Sequence, residues 1–227
     1  MKAYVITLAG NEYSEGVAAR CVRTAAEIGA IDVERFHGVP KEDAEEVMRR
    51  HSLKWAWTTD EIRYCPVSGL RQHSYGGDLR ALIGCTMSHY LLWLQCVQLD
   101  EPILILEHDA VFIREFPKFD FKGICQINDP AGATRRGQHW HDVMVERGTM
   151  GVHTKTCITT PSEQIPDGLA GNSAYVIKPY AAWELIGKCD EVGLWPNDAI
   201  MCRQFCHYLE EYYPFITRVE QTVSTSK

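Results

Sequence analysis

"EPILILEHDAVF", residues 101–112, decides how this chain folds. After Pro102 the residues Ile103 to Leu106 are all apolar, the pattern of a strand covered on both faces. The run then meets Glu107, His108 and Asp109 before apolar chain resumes at Ala110-Val111-Phe112. Residues i and i+2 of a strand share a face about 6.5 Å apart. A strand continuing through residue 109 is therefore expected to project Glu107 and Asp109 together, with His108 behind them. Two adjacent carboxylates repel each other and lose hydration unless a cation or hydrogen-bond donors offset the cost. A hard divalent ion, Mn²⁺ or Mg²⁺, would supply that offset. An ordinary solvated strand end is the alternative.

Just upstream, Ile83, Met87, Leu91, Leu94 and Val97 repeat at helical spacing and predict one long helix starting near Leu79. Gly84, Cys85 and Ser88 share one side of it, which lets the helix approach a backbone or a ligand closely. Ser88 and His89 sit mid-helix, where propensity would not choose them. Both a hydrogen-bonded core histidine and a catalytic one fit His89.

Further out, "AYVITLA" predicts a first strand. Ser14 is placed to cap a helix carrying Val17, Cys21, Ala25 and Ile28 on one face, with Gly29 as its stop. "DVERFHGV" follows as a second strand, and a short charged helix falls within residues 41–55. The alternation predicts an α/β fold with a largely parallel sheet. Residues 56–77, with Pro66, Gly69, Gly76 and Gly77, form a loop-rich insert. Residues 129–168 lack a sustained period and are expected to hold short elements, a lid, or both. "NSAYVIK" predicts a strand and "PYAAWELIGKC" a helix opened by Pro179. "PNDAIMCRQFCHYLEEYY" predicts a final helix capped by Asn197 or Asp198, ahead of a last strand and polar tail in "FITRVEQTVSTSK".

Composition narrows the function. A chain of 227 residues suits one domain that buries a core without staples. The net charge of -7 speaks against a nucleic-acid partner but leaves room for a small anion held by local basic groups. No apolar run approaches the roughly 18 residues of a membrane span, and "MKAYVITLAG" reads as a strand rather than a signal peptide. Nine cysteines with no C-x-x-C predict reduced thiols in a cytoplasmic setting. Cys202, Cys206 and His207 approximate a metal spacing on the predicted final helix, yet no second pair completes a zinc site.

Residues 82–112, "LIGCTMSHYLLWLQCVQLDEPILILEHDAVF", resemble the signature of glycosyltransferase family 25: a G-C-x-x-S-H-x-x-x-W helix followed by an I-L-E-D-D-V strand. "AYVITLAGN" is similar to that family's first nucleotide-binding strand, "NSAYVIKPYAAWELI" to a later strand and helix, "PNDA" to a downstream aspartate segment, and "VEQTVSTSK" to its ending. The resemblance implies a GT-A type fold, with a Rossmann-like nucleotide-binding sheet and flanking helices. It also implies a nucleotide-sugar donor, typically a UDP-sugar, and a divalent ion, usually Mn²⁺. The activity implied is transfer of a hexose such as galactose or glucose to a glycan or glycoconjugate acceptor, as in lipopolysaccharide biosynthesis. One domain would span residues 1–227, with 1–115 its nucleotide-binding half and 116–227 its acceptor-side half.

Carried across by residue, the resemblance makes Glu107, His108 and Asp109 the metal set, with His108 replacing the middle acid of the triplet; imidazole is itself an acceptable Mn²⁺ ligand. Asp198 becomes the base that takes the acceptor's proton, with Glu107 as its catalytic companion. Thr7, Leu8, Arg20, Ser88, His89, Glu107 and Asn172 become donor-binding residues. The arginines that often follow the family's first strand are reduced here to Arg20 and Arg23, further along. Arg135 and Arg136 could screen diphosphate charge from a closing segment.

Three other readings compete. A nucleotidyltransferase would want a glycine-rich, lysine-bearing loop, and "LAGNEYSEG" is a poor one. A metal-dependent hydrolase could be built on His139, His141 and Asp142 if "QHWHDVM" were a strand. A non-catalytic glycan-binding scaffold could have lost metal chemistry through His108.

Overall fold

One seven-stranded sheet organises the chain, and the order in which the strands enter it brings distant residues together. The computed structural model describes residues 1–132, 137–155, 164–169 and 171–220. In chain order the elements are β1 (Lys2–Thr7), α1 (Glu12–Thr24), β2 (Glu34–His37), α2 (Ala44–Arg50), β3 (Arg63–Tyr64), β4 (Arg71–Gln72), α3 (Leu79–Leu99), β5 (Ile103–Glu107), β6 (Ala110–Phe112), β7 (Ile124–Gln126), β8 (Asn128–Asp129), α4 (Gly137–Arg147), β9 (Gly151–Thr154), β10 (Ala174–Ile177), α5 (Pro179–Val192), α6 (Asn197–Ile200), β11 (Leu209–Tyr213) and β12 (Thr217–Val219). The large sheet runs β2-β1-β5-β10-β7-β11-β9, beside a smaller sheet β6-β12-β8 and the pair β3-β4.

The architecture is α/β with flanking helices, as expected, but the sheet is mixed. β2, β1 and β5 are parallel, whereas β10 runs antiparallel to both β5 and β7. β10 enters the sheet from the edge where β5 ends, so it runs back along β5. The start of β10 therefore lies beside the carboxyl end of β5, the edge where open α/β sheets bind ligands.

Alternation along the central strands builds two cores. Ile103 and Ile105 of β5, Tyr4 of β1, and Tyr175 and Ile177 of β10 pack on the side of α3 and α5. Leu104, Leu106, Ala3, Val5, Ala174 and Val176 pack on the side of α1. A strand buried on both faces needs an unbroken apolar run, and this is why "ILIL" shows no polar alternation.

Several local expectations give way to the fold. Asn11, not Ser14, caps α1, accepting a hydrogen bond from the Ser14 N–H at 2.9 Å. The buried stripe is Ser14, Ala18, Cys21 and Ala25, and a π turn at Ala25–Gly29 then widens the helix and leaves Ile28 43% exposed. The expected final helix is confined to α6. Leu209, Glu210, Glu211 and Tyr212 are instead buried in β11, between β7 and β9, where sheet pairing overrides helical spacing. Cys202, Cys206 and His207 therefore share no helix face. Pro196 precedes α6, and neither Asn197 nor Asp198 caps it. "QHWHDVM" is helical, so His139 and His141 diverge. Arg135, Arg136 and the tail at residues 221–227 lie outside the described residues.

Close approach of α3 depends on a glycine. A Cβ on Gly84 would meet the Val39 carbonyl oxygen at 2.6 Å. Replacing glycine by alanine in a helix favours folding by up to about 1 kcal/mol, but overpacking against a rigid neighbour costs about 1–3 kcal/mol. The obstacle is backbone and cannot swing aside, so the second effect wins. Gly84→Ala is expected to lower the melting temperature by several degrees in a thermal denaturation assay; an unchanged or raised value would show that the turn at Val39 yields freely.

Candidate active-site cleft

Glu107 closes β5, and alternation gives it the same face as Ile103 and Ile105, toward α3. From α3, His89 places Nε2 3.3 Å from Glu107 Oε1 and Nδ1 2.9 Å from the Tyr175 hydroxyl. Trp93 Nε1 donates to that hydroxyl at 2.9 Å. Indole can only donate and an ionised carboxylate can only accept, so His89 donates from Nε2 to Glu107, while Tyr175 donates to Nδ1 of the neutral ring and accepts from it when the ring is protonated. Ser173 completes the clamp. Its carbonyl accepts the Glu107 N–H at 2.8 Å and its hydroxyl donates to Oε2 at 3.2 Å, a consequence of the register that pairs Ala174 with Leu106.

Burial by itself would raise the Glu107 carboxyl. The hydrogen bond and charge of His89, the charge of His108 and the Ser173 hydroxyl outweigh it, and the net shift is downward. Glu107 is thus held as a carboxylate with its side chain 30% exposed.

His108 and Asp109 depart from the expected geometry. Strand geometry stops at Glu107, and both residues lie in the turn before β6. His108 points to the α1 side: its Nδ1 lies 2.9 Å from the Ser14 hydroxyl, which itself accepts from the Leu8 N–H at 3.0 Å. Burial lowers the His108 pKa, against the opposing charge of Glu107. Asp109 is 1% exposed, is absent from the cleft wall, and lies close enough to Cys21 on α1 that its charge adds to the burial that raises that thiol. The expected pairing of Glu107 with Asp109 on one face does not form, because the chain turns before the second acid.

A cleft of about 490 Å³ opens at this edge of the sheet. Leu8, Ser88, His89, Glu107 and His108 line it together, with Cys85 and the loop Leu8–Asn11. Ser88 is also structural, donating to the Gly84 carbonyl at 2.7 Å and accepting from the Val39 N–H at 2.9 Å. Thr7 is buried beneath the wall, its hydroxyl turned back to the Val5 carbonyl. Arg20 is away from the cleft, on the exposed side of α1 in an ion pair with Glu220. Among the described residues, Lys41 is the one lysine or arginine on the wall, and Asp78 pairs with it at 3.2 Å.

Asp198 lies next to this cleft rather than in its wall. It is placed by α6, whose Asn197 Oδ1 approaches Cys85 Sγ at 4.0 Å. Burial, reinforced by the charge of Glu107, raises the Asp198 carboxyl to about 6 although the Tyr75 hydroxyl donates to its Oδ1 at 3.0 Å. Tyr75 belongs to the insert, whose Trp57, His73 and Tyr75 rings pack on one another and on Trp195. Asn172, 6% exposed, sits at the start of β10 with Nδ2 3.9 Å from Met201 Sδ; its Oδ1 has no hydrogen-bond partner among the described residues.

The paired-carboxylate set expected for Mn²⁺ or Mg²⁺ therefore does not fit. Only one of its acids, Glu107, is on the cleft wall, and Glu107, His108 and Asp109 do not bring their ligand atoms together. Among the described residues, the side chains whose candidate ligand atoms all come within 4.8 Å of one another are Cys85, His89 and Glu107.

Tyr75, Tyr175, Ser173 and Ser14 were not among the expected site residues. Ser173 and Tyr175 follow from register and Ser14 from the tight β1–α1 turn, none of which a local pattern reports; Tyr75 sits in the aperiodic insert.

No curated protein sequence matches this chain. The crystal structure of mouse xyloside xylosyltransferase 1 in its apo form is similar at 7% identity and a TM-score of 0.42, over 91% of this chain and 81% of that one. The family described as "Glycosyltransferase family 25 (LPS biosynthesis protein)" matches residues 31–201, a span that holds α3, β5, β10 and α6 and leaves out β1, Arg20 and the tail. With the signature helix and strand inside that span and both on the cleft, the chain belongs to glycosyltransferase family 25.

Proposed function

We propose that this glycosyltransferase moves a hexose from a UDP-sugar to a hydroxyl of a glycan or glycoconjugate, within a GT-A type fold. The donor occupies the cleft between the β1–α1 loop and α3, and Asp198 takes the acceptor's proton. The observation that carries this is the contrast between two neighbouring carboxyls. Glu107 is held ionised by His89 and Ser173, whereas burial lifts Asp198 to about 6. Environments that push two acids apart mark separate roles. A base should have a pKa near the working pH, which suits Asp198.

Glu107 has the other role. A carboxylate offers about four acceptor positions, and His89 and Ser173 use one on each oxygen, so the remaining positions can receive hydroxyls of the donor. Asn172 adds a buried carbonyl oxygen with capacity to spare. A volume of about 490 Å³ suits a nucleotide-sized ligand, since small-molecule sites typically span about 300–1,000 Å³.

Nucleotide release tests the reading. The protein is incubated with a panel of UDP-, GDP-, ADP- and CMP-sugars and a mixture of glycan acceptors. Release from a UDP-hexose, rising with acceptor concentration, is the expected result. Faster release from a GDP- or CMP-sugar would overturn the donor assignment, and release from none, with no thermal stabilisation by UDP, would favour the scaffold reading.

A further inference from the structure

The cleft has an electrostatic deficit if its ligand is a diphosphate. Among the described residues, Lys41 is the sole lysine or arginine on its wall, against the carboxylates of Glu42, Asp78 and Glu107. A doubly charged diphosphate entering there would meet net repulsion at short range. The paired acids that would recruit a hard cation do not assemble, yet a different set of ligand atoms stands on the same wall. Cys85 and His89 are four residues apart on α3 and so face the same way. Glu107 reaches them from the end of β5, and the three candidate ligand atoms lie within 4.8 Å of one another.

We propose that Cys85, His89 and Glu107 form a three-ligand site for a borderline divalent ion of the zinc class, with its remaining position open to the cleft. Sulfur, imidazole nitrogen and carboxylate oxygen are the zinc donor set, and three protein ligands with one open position is the catalytic form of such sites. Manganese and magnesium favour oxygen, so a thiolate in the set selects against them.

Supports that orient metal ligands are in place. Tyr175 holds His89 at Nδ1 and is itself held by Trp93, leaving Nε2 toward the site. Ser173 fixes the second oxygen of Glu107. Tetrahedral zinc needs ligand atoms roughly 3.5 Å apart given Zn–S of about 2.3 Å and Zn–N of about 2.0 Å. The three atoms lie within 4.8 Å of one another, so closing the triangle takes a movement on the order of 1 Å. On binding, the metal–sulfur bond replaces the Cys85 S–H bond and the thiol proton leaves to solvent. His89 binds through Nε2 in the tautomer protonated at Nδ1: the Nε2 proton leaves, a neutral ring takes one up at Nδ1 so that its proton count is unchanged, and Nδ1–H then donates to the Tyr175 hydroxyl. The site stands without the transferase reading; only its use by a diphosphate oxygen at the open position rests on that reading.

Cobalt provides a readout independent of turnover. The full-length protein, stripped with chelator, is titrated with Co²⁺ under anaerobic conditions. One equivalent is expected to give a near-ultraviolet thiolate-to-cobalt charge-transfer band with intense tetrahedral d–d bands, which equimolar Zn²⁺ removes and equimolar Mn²⁺ does not. Cys85→Ser should abolish the charge-transfer band, and His89→Gln should weaken binding at least tenfold. Absence of the band, its persistence in Cys85→Ser, or displacement of Co²⁺ by equimolar Mn²⁺ would overturn the site. Circular dichroism checks that each variant folds, and Cys85→Ala replaces any serine variant that does not. UDP should shift the d–d bands; unshifted bands would overturn use of the open position by the nucleotide, while turnover without added metal in a protein free of cobalt bands would overturn the metal and leave the transferase standing.

Discussion

Glu107→Gln is expected to reduce kcat/KM by about a thousandfold or more while leaving the protein folded. Glutamine fits the same space. Its carbonyl oxygen can still accept from His89 Nε2 and its amide can donate to the Ser173 hydroxyl, which has an acceptor lone pair. What disappears is the charge, together with half the acceptor capacity facing the cleft. A neutral amide neither orients donor hydroxyls as strongly nor serves as an anionic metal ligand, so the loss should appear in turnover whichever of these uses dominates. Steady-state kinetics with the preferred donor, beside a thermal melt, makes the measurement. Retention of more than about a tenth of wild-type kcat/KM, with an unchanged melting temperature, would remove Glu107 from the chemistry and leave it a structural partner of His89.

The signature helix explains why so much of this site was readable in sequence. Gly84 permits contact with the Val39 carbonyl, Cys85 faces the cleft, Ser88 ties α3 to Val39, His89 reaches Glu107, and Trp93 holds the tyrosine that orients His89. Gly84, Ser88, His89 and Trp93 each make a contact that uses that residue type. Helical spacing and the apolar run of β5 likewise reported α3 and the strand, because both patterns arise from local periodicity against a core.

What escaped the sequence depends on contacts between remote segments. The apolar run does not say where β5 stops, and a turn two residues earlier than expected took Asp109 off the cleft wall. "HYLEEYY" has residues suited to either a helix or a strand. Its burial between β7 and β9, with Glu210 and Glu211 among the buried residues, decides for the strand. Lys155 compensates Glu211 at 3.2 Å from the far side of the irregular region, a pairing that no local window contains. The reversed direction of β10 is of the same kind, and it supplies Ser173 to the site.

Removing the second acid should be as costly as removing the first, with a different signature. Asp198→Asn is expected to lower kcat by about a hundred- to ten-thousandfold, the usual range for loss of a positioned base, with a smaller effect on donor KM. The pH dependence separates a base from a structural carboxyl. Asp198, lifted to about 6 chiefly by burial, is ionised and competent above that pH and protonated below it, so wild-type kcat/KM should fall on the acid side near pH 6. The Tyr75 hydroxyl stabilises the ionised form through its hydrogen bond; although the residue is 40% exposed, lost hydration around the hydroxyl and the Asp198 charge raise its own pKa, so its proton is retained. Tyr75→Phe removes that donor and keeps the ring, so the acid limb should move to higher pH while activity on the alkaline plateau largely persists. A limb that stays in place in Tyr75→Phe, or that survives in the residual activity of Asp198→Asn, would assign it to another group. Asp198 would then be a buried acid of the α6 turn, with the acceptor's proton leaving by another route.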